Sequence, residues 1–146
     1  MEASAIPRRT RRPGILNRFY VNPILPAQDG DRARKFYRDV LGLELLTGPT
    51  DDPMVFGAAK GSSIALSEMP DRVPPPYPMI SFLVAGIEDV VAALKARGAT
   101  FRPPAPGSFA GVDGTAVGDV MDFGLAKSAF LEDSEGNVIA LNEFVG

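Results

Sequence analysis

The chain has 146 residues and lacks both cysteine and histidine. Without cysteine there is no disulfide, no thiolate metal site and no thiol nucleophile. Without histidine the commonest general base and the commonest metal ligand are both missing, so any chemistry falls to carboxylates, phenols, lysines, arginines, hydroxyls or the backbone. The lack of cysteine fits a reducing compartment, and a cytoplasmic location is expected. No run approaches the roughly 20 apolar residues that span a bilayer, so no membrane partner is expected. The opening MEASAIPRRTRRPG carries no apolar stretch after its charges and does not read as a secretory signal. A net charge of −3 speaks against a general nucleic-acid binder. Arg8, Arg9, Arg11 and Arg12 stand beside Pro7 and Pro13 with little to bury, so residues 1–16 read as a disordered basic tail.

What is present is enough for one ordinary domain, or for two very small modules that share a core; a chain of this size buries roughly two-thirds of its extended surface without staples. NRFYVNPILPA (17–27) reads as a strand whose two prolines suit an edge or an end. DGDRARKFYRDVLG (29–42) reads as a helix: Asp29 or Asp31 can cap its start, Gly42 stands at the C-cap, and Ala33, Phe36, Tyr37, Val40 and Leu41 form one apolar stripe. LELLTG (43–48), PMVFGAA (53–59) and SSIALSEM (62–69) are short strand candidates. PDRVPPPYP (70–78) is a stiff linker that leans toward polyproline geometry.

After the linker the order recurs. MISFLVAG (79–86) is a strand, IEDVVAALKARG (87–98) a helix, ATFRPP (99–104) a short strand, and AKSAFLED (126–133) and NVIALNEF (137–144) a hairpin across Ser134-Glu135-Gly136. The expected fold class is α+β, with a first βαβββ module over 17–69 and a second over 79–146. Two stretches, SSIALSE (62–68) and NVIALNE (137–143), repeat the same Ile-Ala-Leu-x-Glu word in the last strand of each half. The halves differ mainly at 105–125, a Gly-rich segment whose length marks a lid, a binding loop or a disordered excursion.

DGDRARKFYRDVLGLEL, ISFLVAGIEDVVAALKARGATF and AFLEDSEGNVIALNE together resemble the vicinal oxygen chelate superfamily, which includes glyoxalase I, bleomycin-resistance proteins and extradiol dioxygenases. The resemblance covers roughly residues 17–144. It implies two βαβββ modules whose mixed sheet forms a cup with helices outside, and, in metal-dependent members, one ligand on the first and last strand of each module. Carried over one at a time, those positions are Asn22, Ala65, Met79 and Ala140. None is an anion or an imidazole, so no metal and no other cofactor is expected.

Strand alternation sets which side chains share a face. If Ala65 and Ala140 face the cup, so do Ser67 and Asn142, while Ile64, Leu66, Ile139 and Leu141 turn to the helices, and Glu68 and Glu143 point away from the cup. A slip of one residue would strip the helices of their apolar partners. The cup floor then comprises Asn22, Ala65, Ser67, Met79, Ser81, Leu83, Ala140 and Asn142, a mostly apolar surface with a few neutral hydrogen-bonding groups. Tyr20 shares strand parity with Asn22 and is a candidate for the rim. Phe109, Met121 and Phe123 in the 105–125 segment either close over the pocket or pin the segment to the body. The functional expectation is a metal-independent member of the superfamily, a homodimer by family analogy, that holds a small, partly apolar or aromatic ligand, by sequestration. Two alternatives stand beside it: an enzyme of glyoxalase-like lyase, isomerase or dioxygenase type with an unusual site, and a structural or regulatory module.

Overall fold

A computed structural model of the chain describes residues 14–105, 107–109 and 111–145. Most of the stretch read as a basic tail, residues 1–13, lies outside the described residues. The strands and helices run β1 (Ile24–Ala27), α1 (Gly30–Lys35), β2 (Glu44–Leu45), β3 (Met54–Gly57), β4 (Ser63–Glu68), β5 (Pro78–Leu83), α2 (Ile87–Ala96), β6 (Thr100–Phe101), β7 (Ser108–Phe109), β8 (Val112–Asp113), β9 (Thr115–Val117), β10 (Val120–Asp122), β11 (Ala126–Glu132) and β12 (Val138–Phe144).

One sheet has the order β1-β4-β3-β2, with β1 parallel to β4 and the rest antiparallel. The other has β5-β12-β11-β10-β9, with β5 parallel to β12. This is the βαβββ arrangement twice over: each half opens with a strand and a helix, and its last strand lies parallel beside the first. The outer edge of β11 carries two short strands at its two ends. β6 pairs with Leu131 and Glu132, and β10 pairs with Lys127 and Ser128.

The alternation read from the repeated word holds. Ile64, Leu66, Ile139 and Leu141 join Leu25, Phe56 and Tyr37 and the inward side of α2, Ile87 and Val91, in one buried cluster that spans both sheets. Glu68 and Glu143 point to the helix side, and each has the same partner in its own half. Glu68 Oε2 accepts from the Gly30 amide at 2.9 Å, and Glu143 accepts from the Gly86 and Ile87 amides at 2.8 and 3.1 Å. These amides open α1 and α2 and have no intrahelical acceptor, so a carboxylate there satisfies them and meets the positive end of the helix. The repeated glutamate is the last strand's tie to the helix of its own module.

A buried polar cluster joins the halves. Tyr37 Oη donates to Asp133 Oδ2 at 2.6 Å, and Asp133 also accepts from the backbone amides of Glu135 and Asn137 and from Asn137 Nδ2. Asn137 Nδ2 reaches the Pro26 carbonyl, and Glu135 accepts from the Gln28 and Asp29 amides and from Arg32. Gly136 completes the turn at φ +86°, where a side chain would be strained.

Two expectations need correction. Residues 17–23 are not strand: Leu16–Arg18 form a 3₁₀ turn, and pairing begins at Ile24. Pro23 contributes a carbonyl to Ala65 but has no N–H to extend the ladder. The 105–125 segment is not an open loop over its described residues; it folds as a β7–β8 hairpin and a β9–β10 hairpin, the latter added to the second sheet. The helix read over 29–42 is α1 continued by a π turn over Phe36–Val40, with Asp29 as the cap that accepts from the Arg32 amide. Among the described residues no helix is long and apolar enough to cross a membrane.

Candidate functional site

A cleft of about 500 Å³ lies over the cup face of the second sheet. Its position follows from the split edge of β11. Because β6 and β10 hold opposite ends of that edge, the chain between them must leave the sheet and return, and it arches over Ser128 and Phe130. Ser128, Phe130, Ala140 and Asn142 share one face, since Ser128 pairs with Asn142 and Phe130 with Ala140. Prolines from two places also line the cleft: Pro76 before β5 and Pro78 at its start, Pro103 and Pro104 after β6.

The aromatic wall is built by the hairpins. Phe109 on β7 sits 6.1 Å from Phe123, at an interplanar angle of 49°, and 6.1 Å from Phe144 at 52°. Offset tilted rings at this spacing attract edge to face. Met121 and Phe123 also line the cleft. The backbone of Gly114 passes so close to them that a Cβ at this position would collide with both side chains. The glycine thus lets the hairpin lie flat on the cleft-lining residues.

The charged groups at the cleft are held by protein partners. Arg102 Nε donates to Glu132 Oε2 at 3.0 Å and Nη1 donates to the Pro76 carbonyl at 2.9 Å. Asp119 Oδ2 accepts from Lys95 Nζ at 2.7 Å. On the floor, Ser128 Oγ donates to Asn142 Oδ1 at 2.7 Å. The titrating groups that are clearly displaced lie elsewhere. Burial, then the Asp133 charge, holds the Tyr37 phenol well above its ordinary range. Burial likewise raises the Asp133 carboxyl, against the hydrogen bonds from Tyr37 and Asn137 that lower it. Both belong to the cluster between the halves and do not line the cleft.

The residues singled out in the sequence distribute as follows. Phe109 and Phe123 line the cleft, and Asn142 is hydrogen-bonded to a residue that does. Ala140, 4% exposed, pairs with Phe130 on one side and Ser81 on the other. Met79 is the extra residue where the β5–β12 register slips, and its side chain is nearly half exposed. Ala65 and Ser67 are on β4 of the other sheet, Asn22 precedes β1, and Tyr20 is 93% exposed beside Gly61. None of those four lines this cleft, and neither do Met79, Ser81, Ala140 or Asn142, which lie on the second sheet next to it. Sequence reasoning did not single out Arg102, Ser128 or Phe130. Ser128 and Phe130 carried a usable signal, since they stand at alternate positions of a strand whose partner β12 was already phased. Among the described residues, no three His, Cys, Asp or Glu side chains are grouped so as to hold a metal ion.

Comparison with known proteins agrees with this architecture. Residues 20–56 match a family model described as bleomycin resistance protein-like N-terminal. No curated protein sequence matches. Among solved structures, the chain is similar to a glyoxalase/bleomycin resistance protein/dioxygenase from Alicyclobacillus acidocaldarius, with 20% identity, a TM-score of 0.64, and coverage of 86% of this chain and 91% of that one. It is also similar to the genomically encoded fosfomycin resistance protein FosX from Listeria monocytogenes, with 17% identity, a TM-score of 0.61, and coverage of 88% and 92%. A third is the virulence protein STM3117 from Salmonella typhimurium, with 20% identity, a TM-score of 0.58, and coverage of 87% and 97%. The resemblance to the vicinal oxygen chelate superfamily therefore stands on a short sequence match and on the fold.

Proposed function

We propose that this chain, which carries the glyoxalase/bleomycin-resistance fold, holds a small, partly apolar or aromatic molecule in the cleft of its second sheet and does so without a metal. The observation that carries the reading is the cleft itself: about 500 Å³, within the range of roughly 300–1,000 Å³ usual for small-molecule pockets, and walled by Phe109, Phe123, Phe130 and Met121. Phe109, Phe123, Asn142 and Ala140 are the ligand-facing residues in this reading, with Ser81 at the margin.

The donor chemistry of the superfamily's chelating positions supports metal independence. A divalent ion needs at least three good N, O or S donors in fixed geometry. Asn22, Ala65, Met79 and Ala140 offer one exposed amide, one thioether and two buried methyls. They do not fit the ion. The lining supports sequestration over turnover in this reading: its two charged side chains are engaged in ion pairs and its remaining polar side chains are hydroxyls. The chain is read as a cytoplasmic homodimer. Ile24, Leu83 and Phe144 expose apolar side chains, which a second copy would cover, bringing Tyr20, Asn22, Ala65, Ser67 and Met79 into play.

Native mass spectrometry of freshly purified protein tests the reading. The expected spectrum is a dimer with a retained small organic molecule or none, and no ion in stoichiometric amount. A stoichiometric metal ion released by a chelator would sink it. Metal-enhanced turnover of a hemithioacetal, diketone or catechol would favour the alternative, a glyoxalase-like lyase, isomerase or dioxygenase.

A further inference from the structure

We propose that the cleft selects an uncharged, flat molecule bearing a hydrogen-bond acceptor, and that the Asn142 amide reads the acceptor. This rests on the cleft being a ligand site. Three observations carry it.

The first is the state of the charges. Arg102 and Asp119 are the two charged side chains that line the cleft, and each already faces an opposite charge, Glu132 and Lys95. A charged ligand would leave water for walls of phenylalanine, methionine and proline and find no unmatched counter-charge, which disfavours it whichever its sign.

The second is the orientation of Asn142. Its Oδ1 takes the Ser128 hydroxyl at 2.7 Å, which fixes the amide and turns its NH₂ away from Ser128. Among the hydrogen bonds of the described residues none uses Asn142 Nδ2. The side chain is on the cup face beside a cleft-lining residue and is only partly buried. An oriented donor without a partner among the described residues recognises an acceptor such as a carbonyl oxygen or a ring nitrogen.

The third is the placement of the rings. Phe109 links Phe123 to Phe144 at 6.1 Å on each side, and Phe144 follows Asn142 by two positions on the same strand face. An amide donor on the same strand face as this group of rings fits a flat molecule whose acceptor lies in the ring plane.

The test uses four probes that share one ring system: 1-naphthaleneacetamide, 1-naphthaleneacetate, 1-naphthylmethylammonium and 1-methylnaphthalene. Each is titrated calorimetrically into the full chain near neutral pH. The amide is expected to bind about tenfold or more tighter than either ion. Asn142→Ala should weaken the amide about fivefold or more and leave 1-methylnaphthalene unchanged. Ser128→Ala, which frees the amide without removing it, should have a smaller effect in the same direction and guards against a folding defect in the first variant. Acetate binding as tightly as the amide and losing affinity in Arg102→Gln would overturn the inference, as would an Asn142→Ala variant that binds the amide normally. If none of the four binds, 1-methylnaphthalene included, the reading of the cleft as a ligand site falls with it.

Discussion

Replacing Tyr37 by Phe removes one hydroxyl and little else. The ring keeps its volume and its neighbours, Phe36 at 5.7 Å and Phe56 at 5.6 Å between centroids. What is lost is a 2.6 Å hydrogen bond to a buried carboxylate. Bonds to charged groups contribute about 1.5–3 kcal/mol, and the three other donors to Asp133 remain in place, so about 2 kcal/mol is the expected loss at neutral pH. For a chain of this length that lowers the melting temperature by about 4–8 °C. Thermal and urea unfolding of the two proteins, side by side, give the difference.

The pH dependence makes the test sharper. Burial holds the Asp133 carboxyl above its ordinary range. A group raised on folding contributes stability in its protonated form, in full below the unfolded value of about 3.9 and lost as pH rises through the folded one. Removing a hydrogen bond that favours the carboxylate raises the folded value further. The penalty of Tyr37→Phe is therefore largest at neutral pH and shrinks as Asp133 becomes protonated. A penalty below about 0.5 kcal/mol at neutral pH, the level of an ordinary surface change, or one that grows on acidification, would refute the account.

Glu135→Gln should behave with the opposite sign. Burial opposes its charge but is outweighed by the Arg32 hydrogen bond, the Asp29 amide and the Ser134 hydroxyl, which hold the carboxyl below its ordinary range. Its contribution is present above the unfolded value of about 4.3 and lost as pH falls through the folded one, so variant and parent should differ at neutral pH and converge in acid; urea midpoints across pH measure this. Glu143→Ala removes two bonds at the start of α2 and should cost about 1–2 kcal/mol, while Glu68→Ala removes one at the start of α1 and should cost about half that. Equal effects would show that the caps are not what the glutamates provide. Adding zinc, nickel or manganese should leave the melting temperature of the native protein unchanged, whereas a saturable rise would reveal a bound ion.

The strands that were easiest to read are those whose neighbours constrain them. Ile64, Leu66, Ile139 and Leu141 alternate with Ala65 and Ala140, and only one phase buries the larger set against the helices, so the sheet faces followed from the word alone. Tyr37 belonged to a helical stripe, and its place in the core followed from spacing three and four. The partner of its hydroxyl did not, because Asp133 lies 96 residues away and only the folded chain brings them together. Residues 17–23 misled in the other direction. They are apolar enough for a strand, but Pro23 removes the amide that would carry the ladder outward from β1. The two hairpins within 105–125 were hidden by their glycines, which signal turns without signalling how much strand lies between them. Since those hairpins make the aromatic wall, the cleft was less legible than the fold around it.

Every cleft-lining residue falls between Pro76 and Val138, so a single half of the chain contains the whole enclosure. No described residue of the first sheet lines it, although both sheets share one buried core. Exchanging the connection between β6 and β11 would therefore rebuild the aromatic wall while leaving the floor and the sheet of the opposite half in place. Variation in what this scaffold accommodates is free to accumulate in about twenty residues without renegotiating the rest of the molecule.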